Sequence, residues 1–159
     1  MNANYYINNL NLEKHPEGGY YKEIYRSDEI VSFNDRKRNL GTSIYYLLES
    51  KDVSHFHRLK SDEIFHFHDG SSLIIYIIDS NGELTKHSLG LDVEKGEYPQ
   101  IIIPKGSIFG AEVIKDNSFT LVGCIVFPGF NFEDFELLDR KYLLKNYPKY
   151  KEIIIKLTR

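Results

Sequence analysis

The sequence predicts an all-β fold, a sandwich or barrel of short strands with a short helix at each end. Two observations carry this. Between residues 20 and 127, apolar and β-branched runs recur at about 8–12 residue spacing between turn signals, and no strand-then-helix alternation interrupts them. Aromatic residues make up 14% of the chain, 12 Tyr and 10 Phe with no Trp, and such rings fit pleated surfaces. The 159 residues suit a single domain spanning 1–159.

The elements follow in order. Residues 2–10 place Ile7 and Leu10 three apart, as one face of a short helix does. His15-Pro-Glu-Gly-Gly19 is a turn, and His15 reads there as a turn or interface residue. Strands are expected over 20–25, 42–48, 53–57, 63–68, 73–79, 84–89, 100–103, 109–114 and 119–127. Asn81-Gly82 joins two of them as a hairpin turn. Arg36-Lys-Arg38 reads as a solvated loop. The tail changes period: 133–147 and 149–157 have helical spacing, separated by Pro148. A helical tail of this kind covers an open edge or end of a barrel.

Composition narrows the function classes. A net charge of -3 without a concentrated basic face gives no signal for nucleic acid. No apolar run reaches the ~18 residues of a membrane helix, and no signal peptide is visible at the N-terminus. The single cysteine, Cys124, reads as a buried strand residue in a reducing, cytoplasmic protein.

Chemistry concentrates in 54–70, where His55-x-His57 and His66-x-His68 flank Glu63. Residues two apart on a strand share a face, which sets each pair of imidazoles about 7 Å apart. If the two strands pair around a bend at 58–62, Glu63 joins His55 and His57 in a two-histidine, one-carboxylate set. Such a set suits Fe, Mn, Ni or Zn; without metal, the same groups line a polar cavity. His66 and His68 then point away from it. Among ligand-binding candidates, Tyr20 and Tyr45 offer stacking and a hydroxyl, and Arg26 offers a fork for carboxylate or phosphate. Gln100 and Glu112 lie on strands entering the barrel.

These residues carry a resemblance. His55-x-His57, a gap, Glu63 and Gly70 resemble the first signature of the cupin superfamily, with a gap of five residues where three or four are usual. Gly96 and Pro104-Lys-Gly106 resemble the second, which ends here on Phe109 in place of the metal-binding histidine. The chain is more closely similar to the fifth cupin family, a group of unknown function. The similarity runs through His15-Pro-Glu-Gly-Gly-Tyr-Tyr, Tyr25-Arg-Ser, Thr42-Ser-Ile-Tyr-Tyr-Leu-Leu, Ser54-His-Phe-His-Arg-Leu-Lys-Ser-Asp-Glu, Pro99-Gln100, Phe109-Gly-Ala-Glu112 and Val122-Gly-Cys. It continues through the segment beginning Pro128-Gly-Phe. The resemblance implies a jelly-roll barrel (a double-stranded β-helix), a homodimer, and an interior pocket for a small-molecule ligand, with Phe109 in its wall. Sugar-nucleotide epimerases of the same fold are similar by analogy.

Two functions follow. The first is an enzyme of epimerase or isomerase type, or a metal-dependent one, acting on a sugar-like or other polar metabolite. His55 or His57 serves as base or ligand, Glu63 as ligand or proton shuttle, and a tyrosine returns the proton. The second is a non-catalytic ligand-binding or sensing dimer. The cofactor is a divalent metal or none.

Overall fold

A computed structural model describes residues 1–33 and 35–159. Helix α1 (Ala3–Asn9) is capped by Asn2, whose side chain accepts from the Tyr5 amide. Fourteen strands follow among the described residues: β1 (Glu13–Lys14), β2 (Tyr20–Arg26), β3 (Ile30–Phe33), β4 (Arg36–Asn39), β5 (Thr42–Glu49), β6 (Val53–Leu59), β7 (Asp62–Gly70), β8 (Leu73–Ile78), β9 (Leu84–Leu89), β10 (Glu97–Tyr98), β11 (Gln100–Ile103), β12 (Ile108–Val113), β13 (Phe119–Phe127) and β14 (Phe135–Leu137). Helices α2 (Arg140–Asn146) and α3 (Lys151–Lys156) close the chain. Among the described residues no helix is long and apolar enough to cross a membrane.

The strands build two six-stranded sheets, ordered β1-β2-β5-β13-β7-β11 and β10-β9-β8-β12-β6-β14, and β3–β4 stands apart as a hairpin. Seven of the ten neighbouring pairs in the two sheets are non-consecutive in the chain, the crossovers of a jelly roll. The main core lies between the sheets, with Leu48, Phe65, Ile75, Phe109 and Val122 at its centre. A second cluster forms where α2 and α3 cover Phe56 and Ile108, and a third where α1 covers Leu47 and Leu121.

The expected strands are present, and three expectations change. First, Arg36 and Arg38 are not in a solvated loop. They lie on β4, and both pair with the buried carboxylate of Asp134, at 2.6 and 2.7 Å. Neutralised charge makes a strand out of residues with little strand preference. Second, the helix expected over 133–147 begins only at Arg140, behind the Asp139 cap. Phe135–Leu137 instead adds a strand to β6, with Phe135 opposite Leu59 and Leu137 opposite His57. Third, β6 and β7 are not paired. They belong to opposite sheets, so His57 and Glu63 face each other across the interior.

Candidate functional site

The site starts from the turn at His15. The Gly18 amide donates to the His15 carbonyl and the His15 amide to the Gly19 carbonyl, both at 3.1 Å. At Gly18, where φ is +113°, a Cβ would stand 2.0 Å from the Val53 carbonyl oxygen. Only glycine lets the turn press this closely on β6. Tyr46 donates its hydroxyl to the Gly18 carbonyl at 3.0 Å, and the Gly19 amide donates to Asp52 at 3.0 Å. The turn is thereby fixed with His15 and Glu17 directed into the barrel.

A bulge in β6 supplies the partner. Phe109 is opposite His57 and Ala111 opposite Ser54, so two residues of β6, His55 and Phe56, face the single Gly110 of β12. The bulge shifts the alternation. Ser54 and His57 both turn inward, and both reach Glu17. The Ser54 hydroxyl donates to Glu17 Oε1 at 3.1 Å, and His57 Nε2 lies 3.0 Å from Glu17 Oε2. Nδ1 of His57 donates to the His55 carbonyl at 2.7 Å. Burial opposes a charge on His57, but the Glu17 charge and hydrogen bond outweigh it and raise its pKa. Burial also opposes charge on Glu17; His57 and His15 overcome it and bring the carboxyl down to about 2. The result is a buried ion pair with both imidazole nitrogens engaged.

His15 lies on the other side of Glu17. Its Nδ1 accepts from the Glu17 amide at 3.2 Å, which leaves the neutral ring its proton on Nε2. Burial lowers its pKa, as does the nearby His57. Glu63 enters from β7. It is 6% exposed, and its Oε2 has no hydrogen-bond partner among the described residues. Burial and the adjacent Glu17 charge raise its pKa to about 8. Two carboxyls in one enclosure are thus pushed apart, one ionised and one holding its proton. Beside Glu63 is Cys124, whose thiol burial pushes well above its usual range.

These groups line a cavity of about 350 Å³. Ile44, Leu59, Phe65 and Val126 form apolar walls, and Glu13, Lys22, Glu23 and Arg26 stand at the mouth. The segment Phe130–Phe135 lies over it as an aromatic flap. Phe130 and Phe132 meet edge to face at 4.9 Å, Phe132 stacks toward His15 at 6.4 Å, and Phe135 is 5.4 Å from His57. Arg36 and Arg38 grip Asp134 within this flap.

Of the residues singled out from sequence, His57, Glu63 and Arg26 line the cavity. Arg26 is already committed: its guanidinium forks onto Glu23 and donates to Asn39 and the Phe130 carbonyl. His55 does not line the cavity, because the bulge breaks the period-two rule; its Nδ1 bonds the Glu17 carbonyl at 2.6 Å and holds the turn. Phe109 packs behind His57 at 4.0 Å between ring centres rather than facing the cavity. Glu112 is taken up by the Tyr76 hydroxyl and by Lys156. Tyr20 lies under Lys14, and Tyr45 faces His68 on the outer side of its sheet. Gln100 is exposed opposite His66. Tyr21 and Tyr46, members of the same dense tyrosine group as Tyr20 and Tyr45, also line the cavity, and His15, Glu17 and the aromatic flap complete the site without having been picked out. The signal for His15 and Glu17 was His15-Pro-Glu-Gly-Gly itself, a histidine and an acid fixed by two glycines.

The expected two-histidine, one-carboxylate metal set does not form. His57 has no free nitrogen, His55 is turned to a backbone carbonyl, and Phe109 occupies the place of a further histidine. Among the described residues no three His, Cys, Asp or Glu side chains are arranged to hold a metal ion.

Comparison with known proteins accords with this architecture. Residues 4–138 match the family model described as cupin superfamily (DUF985). The chain is 31% identical over 157 residues to the uncharacterized protein YML079W of Saccharomyces cerevisiae, covering 88% of this chain and 77% of that protein. The crystal structure of protein SO0799 from Shewanella oneidensis is 50% identical, with a TM-score of 0.92 over 100% of this chain and 98% of that one. A hypothetical protein from Leishmania major is 35% identical, with a TM-score of 0.95 and 99% of each chain covered. Oxalate decarboxylase from Bacillus subtilis, a protein with Mn(II) centres, shares the fold at 16% identity and a TM-score of 0.56, over 93% of this chain and 38% of that one. The chain belongs to the DUF985 family of the cupin superfamily.

Proposed function

Taking that membership as premise, we propose that this protein binds a small polar metabolite in the barrel and moves a proton on it, in the manner of an isomerase or epimerase. Glu63 carries the proposal. It is a buried carboxyl with one oxygen unbonded among the described residues and a pKa raised to about 8, close to the operating pH that proton transfer favours. His57, which the sequence offered as base, is held at both nitrogens; it and Glu17 act as a fixed dipole beside Glu63. The neutral His15 offers Nε2–H to a substrate oxygen. The reading needs no metal.

The test is a metabolite screen by thermal shift, followed by proton NMR of each binder in deuterium oxide. A substrate loses the signal of a C–H next to its carbonyl with wild type and keeps it with Glu63→Gln. No stabilising ligand at all would sink the proposal. Binding without exchange would select the second reading, a non-catalytic binding or sensing cupin, which the locked state of His57 favours.

We also propose a homodimer in a reducing, cytoplasmic setting. The outer face of the first sheet carries Tyr25, Ser43, Ile125, Ile64 and Ile102 in one register row. Tyr25 is 57% and Ile102 59% exposed. A second copy covers such a self-complementary row. Light scattering at micromolar concentration should give twice the chain mass, and Ile125→Glu should halve it; a monomeric wild type refutes the dimer.

A further inference from the structure

We propose that the cavity takes a compact organic cation, a fully substituted ammonium, placed between the Glu63 carboxyl and the aromatic flap. This rests on the reading that the cavity binds a small molecule, and it adds the charge of that molecule.

The first argument is the charge pattern of the lining. Glu23 at the mouth is neutralised by Arg26 at 2.7 Å, and Glu17 in the floor by His57 at 3.0 Å. Glu13 and Lys22 both line the entrance, where solvent screens them. Of the two buried acids of the lining, Glu63 has no salt bridge among the described residues, and the nearby His57 is bonded to Glu17 instead. Glu63 Oε2 has no hydrogen bond among the described residues, and the residue is 6% exposed. A buried acid without a counter-charge is costly to ionise, and a bound cation supplies that charge.

The second argument is the wall opposite. Phe130, Phe132 and Phe135 lie 4.9–6.3 Å from one another, edge to face. Tyr21 meets His15 edge-on at 4.7 Å in the same lining. The negative faces of such rings attract cations, most strongly where water is excluded. The phenylalanine walls carry no hydrogen-bonding atoms, so a polyol placed there would leave several hydroxyls without partners. A primary ammonium has three N–H groups to satisfy. In the floor the Tyr46 hydroxyl is bonded to Gly18, the Glu17 carboxylate to Ser54 and His57, and His15 presents an N–H that is itself a donor. A substituted ammonium has fewer or no N–H groups and turns its methyls to the rings. A volume of about 350 Å³ accommodates a choline-sized molecule.

The experiment compares choline and tetramethylammonium with 3,3-dimethylbutan-1-ol, the uncharged counterpart of choline. Binding to the full chain is measured by calorimetry at pH 8, for wild type, Glu63→Gln and Phe132→Ala. Phe132 is half exposed, so its truncation leaves the fold standing, and circular dichroism checks both variants. The expected result is that the two cations bind wild type, the uncharged alcohol at least tenfold more weakly, and that each variant weakens the cations by roughly 10- to 30-fold. Equal binding of choline and the alcohol overturns the inference. So does failure of both cations to bind. If uncharged carbonyl compounds from the metabolite screen still bind, only the charge assignment falls; if nothing binds, the small-molecule reading falls with it.

Discussion

Replacing Glu63 by Gln should change how stability depends on pH in a defined window. Burial and the Glu17 charge move the Glu63 pKa from an ordinary 4.5 to about 8. Between these values the native protein holds a proton that the unfolded chain has released. Stability contributed by the neutral acid is therefore full below pH 4.5 and is lost as pH rises through 8. Each pH unit in that window is worth about 1.36 kcal/mol at full slope. From pH 5 to 7.5 the loss attributable to Glu63 is on the order of 3 kcal/mol. Gln cannot ionise, so the variant lacks this limb. Other groups titrate nearby. His57, with a raised pKa, contributes stability that is present below its ordinary 6.5 and lost above it. His15, with a lowered pKa, contributes the opposite slope below 6.5. Both persist in the variant, and His57 keeps Glu17, its main partner, so the difference between the two proteins is dominated by Glu63. The assay is urea unfolding of wild type and Glu63→Gln at half-unit steps from pH 5 to 8. The variant should gain on wild type steadily across the series. A stability difference that stays constant with pH would refute the reasoning, because it would mean that Glu63 titrates alike in both states.

Three further outcomes follow from the same geometry. His57→Gln leaves the Glu17 carboxylate buried without its cation, which should cost about 3–5 kcal/mol by urea unfolding at pH 7; a loss below about 1 kcal/mol would show the ion pair is not formed. Gly110→Ala places a Cβ 2.8 Å from the Ser54 carbonyl oxygen across the β6 bulge, with an expected loss of about 1–3 kcal/mol; an unchanged unfolding midpoint would mean the bulge is absent. Asp134→Asn releases the Arg36 and Arg38 grip, should cost about 1.5–3 kcal/mol, and should speed hydrogen exchange at the amides of Phe130–Phe135; exchange as slow as wild type would show the flap is held elsewhere.

The strands were legible because their pattern is local: aromatic and β-branched runs between Gly, Pro and Asn turns leave little else for 20–127 to form. What escaped depends on contacts far apart in sequence. Arg36 and Arg38 look like a solvated loop until Asp134, almost a hundred residues later, neutralises them. Phe135–Leu137 fits a helical period, but the free edge of β6 takes it as a strand. In the site, alternation placed Glu63 and Phe65 on the interior face and His66 on the other, as the structure has them. It misplaced His55 because alternation assumes an unbroken strand. The bulge opposite Gly110 inserts one residue, and the face presented by His55 passes to Ser54. Nothing in the letters Ser54-His-Phe-His announces this, since a bulge belongs to the pairing of two strands.

The same bulge explains why His55 and His57 have such different roles. An unbulged β6 would put His55 and His57 on one face and turn Ser54 away from Glu17. With the bulge, His55 bonds the backbone of Glu17 and His57 bonds its side chain, so both histidines serve to place one carboxylate. Phe109 packs on the His57 ring from behind. The residue that departs from the second cupin signature thus packs on one member of an ion pair, and the Glu17 charge of that pair helps keep Glu63 protonated at neutral pH. The donor chemistry of the barrel has moved from a set of histidines to a pair of acids in different protonation states.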